Sequence, residues 1–273
     1  NKILAPRLYA HNYPKGIIVI EDFGDLTFYK VLLNKKNKFA VYTKLVDLLI
    51  KIQKIKPKFK IKNISNKFHV INKYSNKYLF KESNLFFDWY LPLFLSKKKV
   101  SNIKKRTNKI LSKLYKKLNF SNSHFVHRDY HAQNLMKVGK KIGVIDSQDA
   151  LIGNPAYDLV SLIDDVRIKT SIKLKNQIYS YYLKKTSKNY KNNSKKFLED
   201  FKILSVQRNL KIIGIFSRLF IRDKKKQYLK FIPYTWQLLE MRMDSEIFSE
   251  LKKILNSNIS KKFKKKIINK WKY

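Results

Sequence analysis

The sequence contains no cysteine, which excludes disulfide bonds and thiolate metal sites. No apolar run reaches the roughly 18–20 residues that a membrane-spanning helix requires, and no signal peptide is visible at the start. These absences favour a cytoplasmic location without a membrane partner, and they leave the oligomeric state open. A chain of 273 residues is nevertheless long enough to bury a substantial core in one large domain or in two lobes.

Acidic residues are scarce, with 19 against 61 basic residues and a formal net charge of +42. A basic patch of that size would favour a nucleic-acid or anionic-membrane partner. However, only eight of the basic residues are arginine, the residue best suited to bidentate phosphate or base recognition, and the lysines are spread along the chain. We therefore predict a solvated, lysine-rich surface and no specific nucleic-acid partner.

The most informative stretch is His124–Ala150. A short apolar run enters a polar loop, and two β-rich runs, Leu135–Val138 and Ile142–Ile145, follow on either side of a glycine-containing turn. This pattern predicts a β-hairpin that ends at Asp146.

Three residues in this stretch have the spacing of a kinase active site. Asp129 and Asn134 follow the pattern H-R-D-x-x-x-x-N, in which the aspartate accepts or orients the proton of the attacking hydroxyl. Asn134 and Asp146 would supply oxygen ligands to Mg²⁺ on the phosphates of ATP. The sequence therefore predicts catalysis by Asp129 and a metal site at Asn134 and Asp146.

The segments HRDYHAQNLM, DSQDA and GNPAYDL resemble the aminoglycoside phosphotransferase group within the protein-kinase-like fold. They are most similar to the branch of anomeric sugar kinases that phosphorylate N-acetylmuramate and N-acetylglucosamine. The likeness continues through Glu82–Pro92 and Gln207–Leu219. One departure is Ser147, where the family usually has phenylalanine, which puts the apolar support of Asp146 in doubt.

The resemblance implies an α+β, protein-kinase-like fold with two lobes, of which this chain is mainly the helical C-terminal lobe. Residues 1–24 would be a remnant of the N-terminal lobe and the hinge, and residues 25–273 the catalytic and substrate lobe. Backbone groups of Glu21, Asp22 and Phe23 would hold the adenine of ATP. The six glycines form no phosphate-binding loop, and no strand lysine precedes this hinge, so we expect most of the N-terminal lobe to be missing.

Other residues receive supporting or binding roles. His127 and Arg128 are expected to stabilise the loop, and Asp158 to brace it by binding backbone amides. The residues considered for the small-molecule substrate are Asp88, Trp89, Asp149, Gln207, Arg208 and Asn209. Asp88 and Trp89 suit a sugar, although aromatic residues at helical spacing are more often part of a core. A solvent-facing stripe explains residues 207–209 as readily as a substrate wall.

Rival functions fit the sequence less well. His127 and His131 have the spacing of a zinc helix, but Arg128 stands where the metalloprotease glutamate would be. No G-x-S-x-G motif supports a serine hydrolase. The alternatives that stay open are a kinase for an aminoglycoside, choline or similar alcohol, and a non-catalytic protein on a kinase scaffold. The scarcity of carboxylates disfavours a polycationic aminoglycoside.

Helical periodicity runs through much of the chain. The segments predicted to be helical are Leu26–Ile55, Glu82–Pro92, Val100–Leu118, Tyr157–Val166, Ile172–Lys184, Lys195–Phe220, Tyr228–Met243 and Glu246–Trp271. Lys58–Phe80 has weak periodicity and predicts loop with short elements. Ala5–Ala10 and Gly16–Ile20 predict short strands on either side of a turn.

Overall fold

The computed structural model describes residues 3–62 and 66–265 and has two compact units. The first unit comprises Asn1–Lys73 and Asn122–Ser194, and the second comprises Tyr74–Ser121 and Lys195–Tyr273. The expected lobe boundary after residue 24 is a different division and stays a prediction. No helix in the part of the chain that the structure describes is long and apolar enough to cross a membrane.

Short antiparallel strand pairs and helices make up the fold. The strands are β1 Leu8–Asn12, β2 Ile17–Ile20, β3 Lys60–Lys62, β4 Phe68–Val70, β5 His124–Val126, β6 Leu135–Val138, β7 Lys141–Val144 and β8 Leu151–Gly153. The helices are α1 Phe28–Asn34, α2 Lys38–Gln53, α3 Asn76–Leu85, α4 Lys97–Lys116, α5 Ala156–Ile163, α6 Ile172–Lys185, α7 Lys188–Asn192, α8 Ser194–Asp223, α9 Ile232–Arg242, α10 Ser249–Asn258 and α11 Lys261–Lys265.

The strands of the first unit form the pairs β1–β2, β3–β4, β5–β8 and β6–β7. The β6–β7 hairpin is the one that the sequence predicts, and its turn has Gly139 in the left-handed region at φ +55°. A Cβ atom on Gly143 would lie 2.6 Å from the ring of Phe23. Glycine at this position therefore lets the Phe23 ring pack on the hairpin.

The predicted helix Leu26–Ile55 is wrong in one respect, because the structure divides it into α1 and α2. Each helix has its own N-cap: the Thr27 side chain accepts from the amide of Lys30, and the Asn37 side chain from that of Ala40. A capping side chain satisfies amides that lack a partner within the helix, so Asn37 starts a new helix where the apolar pattern alone suggests continuity.

Two predictions near the C-terminus also need correction. The segment Tyr228–Met243 begins as a 3₁₀-helix over Lys226–Phe231, and α9 starts only at Ile232, with Pro233 in its first turn. Proline is tolerated there because the first amides of a helix have no intrahelical acceptor. The predicted stretch Glu246–Trp271 is divided into a 3₁₀-turn, α10 and α11, and its last residues, 266–271, lie outside the described residues.

The second unit is built around α8. Helix α3 continues into a π-helical turn, Phe86–Tyr90, and a 3₁₀-turn at Pro92. A Cβ atom on Gly214 would lie 2.3 Å from the backbone carbon of Leu85, so α8 approaches this backbone closely. The aromatic core nearby is completed by Trp236, whose indole N–H donates to the Tyr90 hydroxyl over 3.0 Å.

Candidate active site

The polar loop predicted to be catalytic leaves the β5–β8 pair. Strand β5 ends at Val126, opposite Leu151 of β8, and the loop begins at the next residue. The Tyr130 hydroxyl donates to the backbone oxygen of Leu45 over 2.8 Å, which fixes the loop to α2. The His131 amide donates to the Asp129 carbonyl over 2.9 Å and so tightens the turn that presents the Asp129 side chain.

Asn134 connects the loop to the residue at the end of the hairpin. Its side-chain amide lies 3.1 Å from the Asp129 carbonyl oxygen and 3.3 Å from the carboxylate of Asp146. The Ile145 amide also donates to the Asn134 carbonyl over 3.1 Å. The structure therefore brings together the three residues that the sequence singles out, Asp129, Asn134 and Asp146.

Asp158 lies in the first turn of α5 and binds the start of the loop. One carboxylate oxygen accepts from the His127 amide over 2.7 Å and the other from the Arg128 amide over 3.0 Å. The Asp158 side chain is buried, and burial raises its pKa to about 6, although the positive field of His127 and the two amides act in the opposite direction. Its contacts are those of a brace, and its function as support for the loop stays a prediction.

The backbone is strained on both sides of the site. Arg128 and Asp146 have φ values of +73° and +67°, a region that residues with a Cβ atom rarely occupy. Such conformations persist only where surrounding contacts impose them. At Arg128 these contacts include the bond from its guanidinium to the Asp149 carbonyl, at 2.9 Å. Arg128 thus joins the polar loop to the segment after β7.

Gln148 is a contact that the sequence does not single out. Its side-chain amide donates to the Asp146 carboxylate over 2.7 Å. The opposite oxygen of Asp146 faces Asn134, so a side-chain amide lies against each carboxylate oxygen. In the sequence, the only sign of this contact is that Gln148 lies two positions after Asp146. The two side chains meet because the backbone turns sharply at Asp146.

The chemistry of Asn134 and Asp146 fits a hard divalent cation. Mg²⁺ prefers oxygen ligands and is commonly bound by one or two protein side chains together with phosphate oxygens and water. Asp146 supplies a carboxylate that is exposed to solvent, and rotation of the Asn134 amide supplies a second oxygen. These two residues would hold the ion. In the described part of the chain no three or more His, Asp or Glu residues form a metal-binding group, which gives the zinc alternative no support.

The predicted hinge follows β2. The Glu21 amide donates to the Arg7 carbonyl over 2.8 Å, so this group already has a partner. The Asp22 carboxylate accepts from the Gly24 amide over 2.7 Å and forms a tight turn. Binding of adenine by backbone groups of Glu21, Asp22 and Phe23 stays a prediction.

Gln207, Arg208 and Asn209 do not form a solvent-facing stripe, because all three are buried in α8 within the second unit. The Gln207 amide donates to the Glu82 carboxylate over 3.0 Å, and Lys211 pairs with the other Glu82 oxygen at 3.1 Å. Their burial excludes the alternative that these residues form a solvent-facing stripe. The substrate-wall alternative stays a prediction.

The other proposed substrate residues differ in their environments. Asp88 is exposed and forms an ion pair of 2.6 Å with Lys104, so its carboxylate already has a partner. Trp89 is half-buried, whereas the flanking aromatic residues Phe87 and Tyr90 are fully buried, as expected for a core. The Asp149 side chain is exposed in the first unit. Sugar binding by Asp88, Trp89 or Asp149 stays a prediction.

Residues 2–190 match the family model described as the phosphotransferase enzyme family (APH). This match covers more than half of the chain, so the protein belongs to that family and is an ATP-dependent small-molecule kinase. The resemblance inferred from the sequence motifs is thereby confirmed.

Two proteins with similar sequences have the same kinase name. The chain is 31% identical over 238 residues to the N-acetylmuramate/N-acetylglucosamine kinase of Pseudomonas aeruginosa, covering 86% of this chain and 67% of that protein. It is 29% identical over 234 residues to the kinase of the same name from Neisseria meningitidis, covering 84% of this chain and 67% of that protein. The chain thus spans about two thirds of the length of these relatives.

A solved structure supports the fold. The choline/ethanolamine kinase family protein from Mesorhizobium loti aligns with a TM-score of 0.58 at 11% identity, covering 93% of this chain and 78% of that chain. This likeness shows a protein-kinase-like fold of mixed α and β structure, as the sequence predicts.

Proposed function

We propose that this kinase transfers the γ-phosphoryl group of ATP to the anomeric hydroxyl of an N-acetylated amino sugar, either N-acetylmuramate or N-acetylglucosamine. The observation that carries the proposal is the position of Asn134, which contacts both the Asp129 carbonyl and the Asp146 carboxylate. A proton acceptor and two oxygen ligands in one small region are the groups that phosphoryl transfer requires. The names of the two relatives support the choice of acceptor.

In the proposed mechanism the acceptor oxygen attacks the γ-phosphorus, the bond from that phosphorus to the ADP oxygen breaks, and Asp129 takes the hydroxyl proton. Asp158 and Arg128 hold the loop that carries Asp129. Asn134 and Asp146 would hold the metal ion, which would supply positive charge to neutralise the phosphate oxygens. Positioning and electrostatics supply most of the rate enhancement, since this reaction needs no covalent enzyme intermediate.

The acceptor site is proposed to draw on the polar residues of α8. Gln207 and Asn209 each have a buried side-chain oxygen without a hydrogen-bond partner among the described residues, and Arg208 has a buried nitrogen in the same situation. Arg208 would pair with the lactyl carboxylate of N-acetylmuramate, which N-acetylglucosamine lacks.

The proposal also includes the predicted lobe organisation. The strand β2 exposes Ile17, Ile18, Val19 and Ile20 to about half of their surface, so apolar side chains project from both of its faces. A strand that is apolar on both faces is typical of a sheet covered on both sides. This supports the view that residues 1–24 belong to an N-terminal lobe and hinge, which structure determination of the complete gene product would test.

The test is ADP release measured with N-acetylmuramate, N-acetylglucosamine, glucose, choline and kanamycin as acceptors, using the product of the complete reading frame. We expect the two N-acetylated sugars to be the best acceptors, because a site that binds a substituent by hydrogen bonds rejects analogues without it. Turnover confined to choline or kanamycin would refute the choice of sugar and leave the phosphotransferase mechanism intact.

Two variants separate catalysis from recognition. Asp129→Asn should lower kcat by roughly 10²–10⁴ while ADP binding persists, because the amide cannot take the hydroxyl proton. Asp25→Asn, a change at an exposed carboxylate, is the matched control and should leave kcat unchanged. Arg208→Lys should raise KM for N-acetylmuramate more than for N-acetylglucosamine. Full activity in Asp129→Asn would show that the catalytic assignment is wrong.

A further inference from the structure

A cavity of about 760 Å³ lies in the first unit, at the turn of the β6–β7 hairpin. Its volume falls within the range of small-molecule sites, roughly 300–1,000 Å³. The hairpin ladder runs from the pair Leu135–Val144 to the pair Val138–Lys141, a distance of about 10 Å. The cavity lies at the second of these ends, and the proposed metal ligands, Asn134 and Asp146, adjoin the first and do not line it. It is therefore separate from the candidate active site.

Lysine is the commonest residue in the wall of this cavity. The five lysines are exposed and are Lys35, Lys44, Lys137, Lys140 and Lys141. Five lysines among eleven wall residues is about twice the share that lysine and arginine together have in the chain, 61 of 273 residues. The basic composition of the chain does not by itself account for this concentration of charge.

The fold brings these lysines together from three elements. Gly139, at φ +55°, forms the hairpin turn that places Lys140 and Lys141 beside the cavity. The amide of Lys137 donates to the Leu26 carbonyl over 2.8 Å, which fixes the hairpin to the segment that leads into α1. Lys35 follows the last residue of α1, and Lys44 lies on α2. Because the three elements are fixed in one unit, the lysines face a common space.

The protein leaves the charge of these five lysines uncompensated. None of the five forms an ion pair with a carboxylate in the part of the chain that the structure describes. Asp47 is the one acidic residue among the described wall residues, and its two oxygens lie 2.9 and 3.1 Å from the Tyr181 hydroxyl on α6. The buried side chains of Phe28 and Val41 also line the cavity. A concave surface with one sign of charge over an apolar, low-dielectric wall concentrates ions of the opposite sign.

We propose that this cavity binds an inorganic chain of linked phosphates, with the ammonium groups of the five lysines against successive phosphate groups. A single exposed lysine contributes little to the binding of an anion, so an anion with several charges that engages several lysines at once is favoured. Lysine is a compact charge with three rotatable donors and accepts phosphate oxygens from many directions. None of the described wall residues is arginine, asparagine, glutamine, serine or threonine, so the cavity has few directional groups that would orient a nucleoside.

The experiment is isothermal titration of the 273-residue chain with sodium tripolyphosphate and with orthophosphate, in the absence of divalent metal so that the proposed Mg²⁺ site does not contribute. Tripolyphosphate should bind roughly tenfold more tightly than orthophosphate, because it engages several lysines at once. Its affinity should fall as NaCl is raised from about 50 to 200 mM, since the lysines are exposed and their charge is screened. Absence of tripolyphosphate binding at millimolar concentration, or equal affinity for orthophosphate, would overturn the proposal.

Charge-matched variants distinguish this cavity from general attraction to a basic protein. The double variants Lys140→Gln with Lys141→Gln, and Lys35→Gln with Lys44→Gln, each remove two charges from the wall and should weaken tripolyphosphate binding roughly tenfold. The control pair changes two exposed lysines of α10 outside the wall, Lys252→Gln with Lys253→Gln, and should leave the affinity nearly unchanged.

Unless both wall pairs weaken binding more than the control pair does, the proposal is wrong, and net charge alone attracts the anion. UTP without metal provides the second comparison, because it carries three phosphates on a nucleoside. If the wall pairs abolish a binding of UTP that is tighter than that of tripolyphosphate, the ligand is not an inorganic chain. These readouts do not depend on kinase turnover, so they stand or fail separately from the proposed function.

Discussion

At the scale of single residues, the geometry around Asp146 combines a strained backbone with two amide contacts. Asp146 has φ +67°, and its carboxylate faces the side-chain amides of Asn134 and Gln148. Strain of this kind is maintained by the surrounding contacts and recurs at functional sites. The charge of the Asp146 carboxylate and the direction in which it points can therefore be changed by different substitutions.

We predict that Asp146→Ala weakens binding of Mg²⁺·ADP more than Asn134→Ala does. A carboxylate contributes a full negative charge to a divalent cation, whereas an amide contributes only a dipole. Isothermal titration with ADP at fixed Mg²⁺ measures both variants, and Gln148→Ala serves as the control that removes an amide contact and keeps the charge. Unchanged affinity in Asp146→Ala would exclude it as a metal ligand.

Asp158 gives the protein a pH dependence of stability that differs in sign from that of an exposed carboxylate. Burial raises its pKa in the fold to about 6, against 3.8 for an ordinary aspartate carboxyl, so the folded state binds more protons between these values. Stability from this group is complete below pH 3.8 and falls as pH rises through about 6. At ~1.4 kcal/mol per pKa unit, the loss is roughly 3 kcal/mol.

We therefore predict that replacing Asp158 with Asn changes the slope of stability against pH. The free energy of unfolding of the wild type, minus that of Asp158→Asn, should decrease between pH 4 and pH 6. Urea denaturation at several pH values measures this difference, and Asp25→Asn, at an exposed position, provides the reference. A difference that is constant with pH would show that Asp158 titrates normally in the fold.

At this scale, the contacts that could be predicted from the sequence are those between residues that lie close together in the chain. Asp129, Asn134 and Asp146 lie within 18 consecutive positions of one loop and hairpin, so their meeting follows from local structure. The pair of Glu82 with Gln207 spans 125 positions and depends on how α3 packs against α8, which no local pattern specifies. The burial of residues 207–209 could not be predicted for the same reason.

At the scale of secondary-structure elements, hydrophobic periodicity predicts the extent of α8 but not which of its residues are buried. The sequence predicts its extent to within a few residues, yet α8 buries polar as well as apolar side chains along its middle. Because the helix is enclosed on several sides, an amphipathic pattern does not describe it. Its close approach to α3 depends on Gly214, a residue that propensity alone would mark as unfavourable.

We predict that Gly214→Ala destabilises the protein, although alanine is favoured over glycine in a helix by about 1 kcal/mol. The added Cβ atom would lie 2.3–2.5 Å from backbone atoms of Leu85 and Phe86, which cannot rotate away. Overpacking of this kind costs about 3 kcal/mol and outweighs the propensity gain.

Thermal and urea unfolding of Gly214→Ala test this balance. Gly139→Ala is the comparison, because the space around Gly139 is open and only its φ of +55° opposes a side chain, a cost of about 1–2 kcal/mol. Equal or greater stability of Gly214→Ala than of the wild type would show that α8 and α3 are not packed this closely.

At the scale of the whole molecule, the chain combines a net charge of +42 with two compact units that each enclose a lysine. In the first unit Lys175 donates to the Ile163 carbonyl over 2.6 Å and pairs with Asp164 at 3.2 Å. In the second unit Lys211 pairs with Glu82 at 3.1 Å. Both ammonium groups are buried, unlike most of the lysines around them.

The burial of Lys175 and Lys211 has a consequence for chemical reactivity. An amine-reactive acylating reagent should modify the exposed lysines rapidly, whereas these two are modified only when their own unit opens. Peptide mass spectrometry along a urea series therefore reports the opening of each unit separately, with Lys173, an exposed neighbour on α6, as the reference for full reactivity. Acylation of Lys175 or Lys211 at the rate of Lys173 in native buffer would contradict their burial.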